Sequence, residues 1–428
     1  MRILVVGGGG REHAIVYALV ASPQVERVFV APGNGGTAQV AENVSLEVEN
    51  GSAVASFAKD NGVDLVVIGP EAPLVAGVAD AVRAVGIDAF GPVAAGAKLE
   101  GSKTFAKRIM DDYDIPTGFH GSFTDEASAM HYLNEVGAPI VVKADGLAAG
   151  KGVTVAMDIA TARGAVAECF SGRFGEAGTT VVIEEFLSGP ECSILAFVDG
   201  KTVVPMAPSQ DHKRAYENDE GPNTGGMGVY SPVPIVTDEE HATMIELMER
   251  TAAGLRAEGI DYRGVLYGGF ILTAEGPKVL EFNARFGDPE TQVILPRLDG
   301  DLAEILLATA QARLSEVELA WRPEWAVSVV LASGGYPGEY ETGLPISGVD
   351  VAAAREGVTV YHAGTKLAED GTLLTAGGRV LNVTALGEDF SSARNLAYDA
   401  VEDISWDGAF FRRDIGAKAL RGRSAWDA

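Results

Sequence analysis

Short apolar runs alternate with amphipathic stretches over the first hundred residues. Residues 3–6, 27–30, 64–68 and 89–91 have the length and branched apolar content of buried strands. Between them, residues 13–21, 51–61 and 76–85 carry apolar side chains at helical spacing. Strand and helix in alternation predict a parallel, doubly wound α/β sheet. From about Ser102 the rhythm changes. Lys103–Asp112 reads as an amphipathic helix, stopped by Asp114-Ile115-Pro116. Strands at 140–143, 153–157 and 180–184, with a helix near 161–170, predict a small α+β lid. Further strands at 192–198, 265–273 and 278–282 extend this unit to about Arg313. Residues 318–325, polar with one proline and two tryptophans, read as a linker. Beyond it, strands at 326–332, 358–362 and 378–385 and a helix at 391–404 predict a small C-terminal α/β domain. The expected division is 1–101, then 102–313 with its lid at about 117–187, then 325–428.

A chain of 428 residues exceeds one core, and about 150 residues per domain gives roughly three. Sixty acidic against 33 basic residues leave a formal charge of −27. Such a surface repels phosphate backbones and argues against a nucleic-acid partner. Any anionic substrate must be met by lysines and arginines gathered locally. The two cysteines, Cys169 and Cys192, form no CxxC pair and have no histidine at ligand spacing, so neither structural zinc nor a disulfide framework is expected. The apolar run at 3–6 is too short for a signal peptide, and no stretch of about 18 apolar residues occurs, so no membrane span and a cytoplasmic location are expected.

Candidate chemistry sits at the ends of several strands. Gly7-Gly8-Gly9-Gly10-Arg11-Glu12 follows the first strand and opens a helix, where backbone N–H groups can meet a phosphate. It is a poor dinucleotide fingerprint: counted from Gly7, the third glycine position is Glu12, and no acid ends the second strand. Two stretches fall short of a phosphate-binding P-loop. Gly96 to Thr104 has a serine where the lysine belongs, and Gly146 to Gly152 has short spacing and no hydroxyl after Lys151. The second has another use. Lys143 ends a strand, and the Gly146-Leu147-Ala148-Ala149-Gly150-Lys151-Gly152 hairpin that follows is suited to folding over polyphosphate. Glu184-Glu185-Phe186-Leu187 lies about 30 residues on, a strand end that suits an adenine edge and a ribose hydroxyl.

The sharpest signal is Glu281-Phe282-Asn283-Ala284-Arg285-Phe286-Gly287-Asp288-Pro289-Glu290-Thr291-Gln292. On a strand, Glu281, Asn283 and Arg285 share one face. A carboxylate and an amide oxygen are hard donors suited to Mg²⁺, and an arginine beside them can clamp developing phosphoryl charge.

Lysine hairpin, acidic strand end and E-x-N-x-R strand, in this order, resemble the ATP-grasp superfamily. Within it, R-F-G-D-P-E-T-Q, Ser209-Gln210-Asp211-His212-Lys213-Arg214 and G-P-N-T-G-G-M-G at 221–228 resemble the phosphoribosylamine–glycine ligase family. G-G-G-G-R-E-H, G-P-E-A-P-L at 69–74 and the C-terminal H-A-G-T and T-A-G-G-R-V-L match as well, so the likeness runs through the whole chain. It implies ATP-dependent joining of glycine to 5-phosphoribosylamine by way of a glycyl phosphate, with Mg²⁺ (or Mn²⁺) as cofactor; a monomer is an expectation that the sequence itself does not fix. Lys103, Lys143, Lys151 and Gly152 would hold ATP phosphates, and Glu184, Glu185, Phe186, Leu187 and Glu191 would surround adenine and ribose. Glu281 and Asn283 would hold the metal, and Arg285, Asp211 and Lys213 would form the catalytic set. Substrate contacts would come from Gly9, Arg11, Glu12, Glu71, Asn223, Gly225, Gly226, Met227, Asp288, Pro289 and Glu290. His212 reads as a base or, more simply, as a hydrogen-bonding loop residue. Two rivals stay open: another ATP-grasp enzyme such as a biotin-dependent carboxylase subunit, and a non-catalytic or dehydrogenase-like nucleotide binder.

Overall fold

The computed structural model describes residues 1–147 and 152–419. The N-terminal sheet is parallel, with strands Glu42–Asn43, Arg27–Pro32, Arg2–Gly7, Leu65–Ile68 and Asp88–Phe90 side by side in that order. Its first strand shows why both faces are covered. Ile3 and Val5 pack with Ile15 and Leu19 on one side, and Leu4 and Val6 pack with Val54, Ala58 and Val82 on the other. Strand order reverses between Arg2–Gly7 and Leu65–Ile68, which opens a crevice at their carboxyl ends. The helix expected over 76–85 forms as Val78–Ala84, and Gly77, at φ +81°, sets it off from a separate short helix, Glu71–Val75.

The lid is a four-stranded antiparallel sheet in the order His120–Phe123, Val181–Glu185, Ile140–Ala144, Val153–Ala156. Leu133 and Val166, from helices Glu126–Val136 and Ile159–Glu168, pack on Ile140, Val142 and Ile183. The larger sheet beside it runs Val203–Pro205, Glu191–Asp199, Arg263–Thr273, Gly276–Asn283, all antiparallel.

A fourth sheet crosses the expected 313/325 boundary. Its order is Gln210–Asp211, Gly228–Ser231, Trp325–Ala332, Arg379–Gly387, Val358–His362, so its first two strands come from the middle of the chain. One hydrophobic core accordingly joins Ile194, Phe270 and Phe282 to Val327, Val383 and Val401. The stretch 318–325 is no free linker. Ala320–Trp321 pairs with Leu298–Asp299, and the buried Arg297 donates to the carbonyls of Glu324 at 2.7 Å and Arg322 at 3.2 Å. A buried guanidinium needs acceptors, and this backbone supplies them.

Candidate active site

The crevice of the first sheet, the lid and the larger sheet enclose a cavity of about 610 Å³. Two elements supply its positive wall among the described residues. Lys103 opens the helix Lys103–Asp112, and its Nζ donates to the Gly146 carbonyl at 2.9 Å. The same helix start grips the lid loop: Ser102 Oγ and the Thr104 N–H both donate to the Asp145 carboxylate, each at 3.2 Å. Lys143 comes from the lid strand Ile140–Ala144. Burial, reinforced by Lys143 close by, pulls the Lys103 pKa below its usual value. Lys151 lies outside the described residues, while its neighbour Gly152 lines the cavity.

Glu184, expected beside ribose, is already engaged. It is buried between Lys107 and Lys143 and pairs with both. Burial alone would raise its pKa; the two ammonium groups outweigh that and hold it below the usual range. Glu191, half exposed and 3.1 Å from Lys213 Nζ, is the more open carboxylate. The lid ladder ends at Glu185, so Phe186 and Leu187 line the cavity with backbone that, among the described residues, no neighbouring strand uses.

Opposite stands the hairpin of Arg263–Thr273 and Gly276–Asn283. Its register sets Glu281 across from Gly269 and Asn283 across from Tyr267, so Glu281, Asn283 and Tyr267 all reach the cavity. Lys213 lies 3.7 Å from Glu281 and is the main reason that the Glu281 pKa is lowered to about 2, against the pull of burial. Asp211 has the opposite shift. Burial pushes its carboxyl well up, Lys213 opposes, and Glu290, Glu191 and Glu281 add to the rise. Tyr267 donates to Glu290 Oε1 at 2.9 Å.

Arg285 lies two residues past the strand end, and its guanidinium is tied on every edge. Nε meets Glu71 Oε2 at 3.3 Å, Nη2 meets Glu100 Oε1 at 2.8 Å and Asn283 Oδ1 at 3.4 Å, and Nη1 donates to the Phe286 carbonyl at 3.2 Å. Glu71 starts a helix at the crevice, which is why a residue 214 positions away can reach it.

The glycine-rich start of the first helix holds carboxylates of its own chain. The Gly9 N–H donates to Glu12 Oε2 at 2.6 Å and the Arg11 N–H to Asp288 Oδ2 at 3.3 Å. Glu12 is buried beneath the loop and also accepts from Arg11 Nε at 2.6 Å. Arg11, Glu71, Asn223, Gly225, Asp288 and Glu290 line the cavity; Gly9, Glu12, Gly226, Met227 and Pro289 are not part of its lining. Met227 is a core residue, fixed by backbone bonds to His212 and Val330. Gly226, at φ +115°, packs on Pro289, where an added Cβ would come within 2.5 Å of the proline ring. His212 is held structurally as well. Its Nε2 accepts the Gly416 N–H at 2.9 Å, and burial, reinforced by Arg412, lowers its pKa to about 4.

Lys107, Glu100, Tyr267 and Arg379 are among the lining residues that were not candidates from the sequence. Lys107 sits one turn after Lys103 on the same helix, a spacing that could have found it. Arg379, from the C-terminal strand Arg379–Gly387, donates through Nη1 to the carbonyls of Gly225 at 2.8 Å and Asp288 at 2.7 Å. It holds the 221–228 loop against the turn at Asp288-Pro289.

Family models for the N, ATP-grasp (A) and C domains of phosphoribosylglycinamide synthetase match residues 1–100, 101–291 and 326–418, in that order. The chain belongs to the phosphoribosylglycinamide synthetase family. It is 54% identical to the phosphoribosylamine–glycine ligase of Allochromatium vinosum, over 98% of this chain and 99% of that one. The corresponding protein of Escherichia coli O6:H1 is 51% identical, with the same coverage. Among solved structures, phosphoribosylamine–glycine ligase from Thermotoga maritima superposes with a TM-score of 0.85 at 34% identity, over 97% of this chain and 100% of that chain. Biotin carboxylase from Campylobacter jejuni gives 0.74 at 13% identity, over 95% and 92%, a likeness of fold alone. The E-x-N-x-R strand is thus set in a fold that synthetases of this family share with carboxylases. Among the described residues, no helix is long and apolar enough to cross a membrane.

Proposed function

We propose that this chain joins glycine to 5-phosphoribosylamine, converting ATP to ADP and phosphate and forming glycinamide ribonucleotide, a step of purine synthesis. The reading rests on one observation: the N, A and C family models match in order across the chain, and relatives at about half identity over nearly its full length carry the ligase name.

A carboxylate resists attack by an amine until one of its oxygens becomes a leaving group. In the proposed route a carboxylate oxygen of glycine attacks the γ-phosphorus of ATP, and ADP departs. The nitrogen of phosphoribosylamine then attacks the glycyl carbonyl, the carbon–oxygen bond to phosphate breaks, and an amide and inorganic phosphate remain. Lys103, Lys143 and Lys151 would hold the polyphosphate, and Phe186 and Leu187 would offer backbone to adenine. Asp211, with its raised pKa, is suited to accept the proton that the attacking amine must lose. Arg285 would steady charge on the phosphoryl and tetrahedral oxygens.

Glu281 and Asn283 fit a divalent cation. They are neighbouring hard oxygens on one strand face, and the lowered pKa of Glu281 keeps it ionised. Among the described residues no group of three or more His, Cys, Asp or Glu could hold a metal, which suits an ion that completes its shell with phosphate oxygens and water. Bound there, Mg²⁺ (or Mn²⁺) supplies neutralisation of phosphate charge.

Oxygen labelling tests the route. Glycine carrying heavy oxygen in its carboxylate is expected to pass one labelled atom to inorganic phosphate per turnover. Retention of all label in the glycyl product, or its appearance in ADP, would overturn the acyl-phosphate reading.

A further inference from the structure

The segment from Gly96 to Thr104, dismissed as an incomplete P-loop, contains a carboxylate that breaks local rules. Glu100 falls in the last turn of the helix Ala94–Gly101. Carbonyl dipoles gather negative charge at that end, so an anion there is disfavoured. The side chain is also only 7% exposed, and burial, helped by Glu71, raises its pKa. Where one residue violates local electrostatics, a compensating contact is expected.

The compensation is Arg285. Glu100 Oε1 takes its Nη2 at 2.8 Å, the shortest of the contacts that guanidinium makes. The other carboxylate oxygen accepts the Ala284 N–H at 2.8 Å. One side chain therefore grips both the backbone just past Asn283 and the side chain that follows it. Glu71, the second carboxylate on Arg285, differs on each count: its contact is 3.3 Å, and its side chain is 34% exposed. Both acids line the cavity, and they divide the guanidinium between a buried edge, held by Glu100, and a more open edge, held by Glu71.

We propose that Glu100 is a positioning residue, fixing the plane of Arg285 so that the edge shared with Glu71 is presented to the anionic reactants, and that it acts on turnover only through Arg285. This rests on the reading that Arg285 serves the reacting centre. Glu71 is then the partner an incoming carboxylate or phosphoryl oxygen displaces, and Glu100 is the one that stays. A planar fork held at one edge keeps its geometry while the other edge changes partner.

A double-mutant cycle in the full-length enzyme tests this, with kcat and the KM for ATP measured for Glu100→Gln, Arg285→Ala and the pair. Glutamine keeps a carbonyl oxygen for the Ala284 N–H but turns a neutral amide toward the guanidinium. Glu100→Gln is expected to lower kcat about 10- to 100-fold, the range for losing an orienting partner, with KM for ATP within about twofold. In the Arg285→Ala background the same change is expected to have no further effect, because the group it orients is gone. Additive losses, or wild-type turnover in Glu100→Gln, would overturn the inference while leaving the role of Arg285 standing. Near-normal turnover in Arg285→Ala would overturn that role and the inference with it. Thermal melting and ADP binding report folding. Should Glu100→Gln fail to fold, Glu100→Asp takes its place in the cycle: it keeps the charge, shortens the reach, and is expected to show the same non-additivity.

Discussion

Lys213 stands between two carboxylates, 3.1 Å from Glu191 and 3.7 Å from Glu281. With Asp211 beside them, they raise its pKa well above the ordinary value although burial works the other way. This lysine is the largest of the cationic influences, with Lys143, Lys103 and Arg285, that hold Glu281 ionised, so its charge helps prepare the oxygen that a divalent cation would take. Replacing Glu281 with Gln removes the anionic donor and leaves the strand register untouched. The Mg²⁺ concentration giving half-maximal rate is expected to rise at least about tenfold, one factor of ten for each 1.4 kcal/mol of lost ligand free energy. Turnover measured across a magnesium titration checks this, and an unchanged midpoint would remove Glu281 from the metal site. The sequence offered Glu281 and Asn283 because alternation along a strand puts them on one face. It could not offer Tyr267, which joins that face through the register of the partner strand.

At the scale of elements, the first helix Gly10–Val20 docks onto the C-terminal strand Val358–His362 through a pair of histidines. His13 Nδ1 accepts the His362 N–H at 2.7 Å, and the two rings meet edge to face at 5.3 Å. Burial, joined by the influence of His362, lowers the His13 pKa to about 3, and burial lowers that of His362 to about 4. Both are therefore neutral in the folded protein, whereas an unfolded chain protonates them below about 6.5. Between those values the unfolded state binds more protons, so stability rises with pH from about 4 to about 6.5 and is lost as pH falls through that window. His13→Asn keeps an acceptor near the Nδ1 position and does not titrate. Urea unfolding at a series of pH values is expected to show a shallower slope in this variant. An equal slope would mean that His13 does not drive the acid sensitivity. Element positions were largely legible: Lys103–Asp112 and Val358–His362 form where their apolar spacing places them. The pairing of Ala320–Trp321 was not, since it depends on a strand over twenty residues earlier.

For the whole molecule, the C-terminal hundred residues are part of the site. Arg379 reaches back 154 positions to the Gly225 carbonyl and 91 to that of Asp288. Burial opposes its charge, yet Asp288 beside it holds its pKa above the usual value. Gly225 packs against the guanidinium: an added Cβ would come within 2.9 Å of Cζ. Replacing Arg379 with Ala frees both loops from the guanidinium that holds them. Misplacement on the order of 1 Å can cost about a hundredfold, so a fall in turnover of about 10- to 100-fold is expected, with ADP affinity nearly unchanged. Titration of ADP beside steady-state rates checks the split, and equal losses in both would show that Arg379 supports the fold at large.

What the sequence determined by itself was local: strand faces, helix spans, the hard oxygen pair at Glu281 and Asn283, and the order of motifs that marks the family. Those follow from periodicity and from chemistry carried by neighbouring residues. Only the tertiary structure decided which charges cancel. Glu184 faces two lysines, the first helix is capped by Asp288 rather than left open, and Arg285 is shared by Glu71 and Glu100. A side chain's partner is set by where strands and loops distant in sequence converge. The energy of a buried charge depends on that partner far more than on its neighbours along the chain.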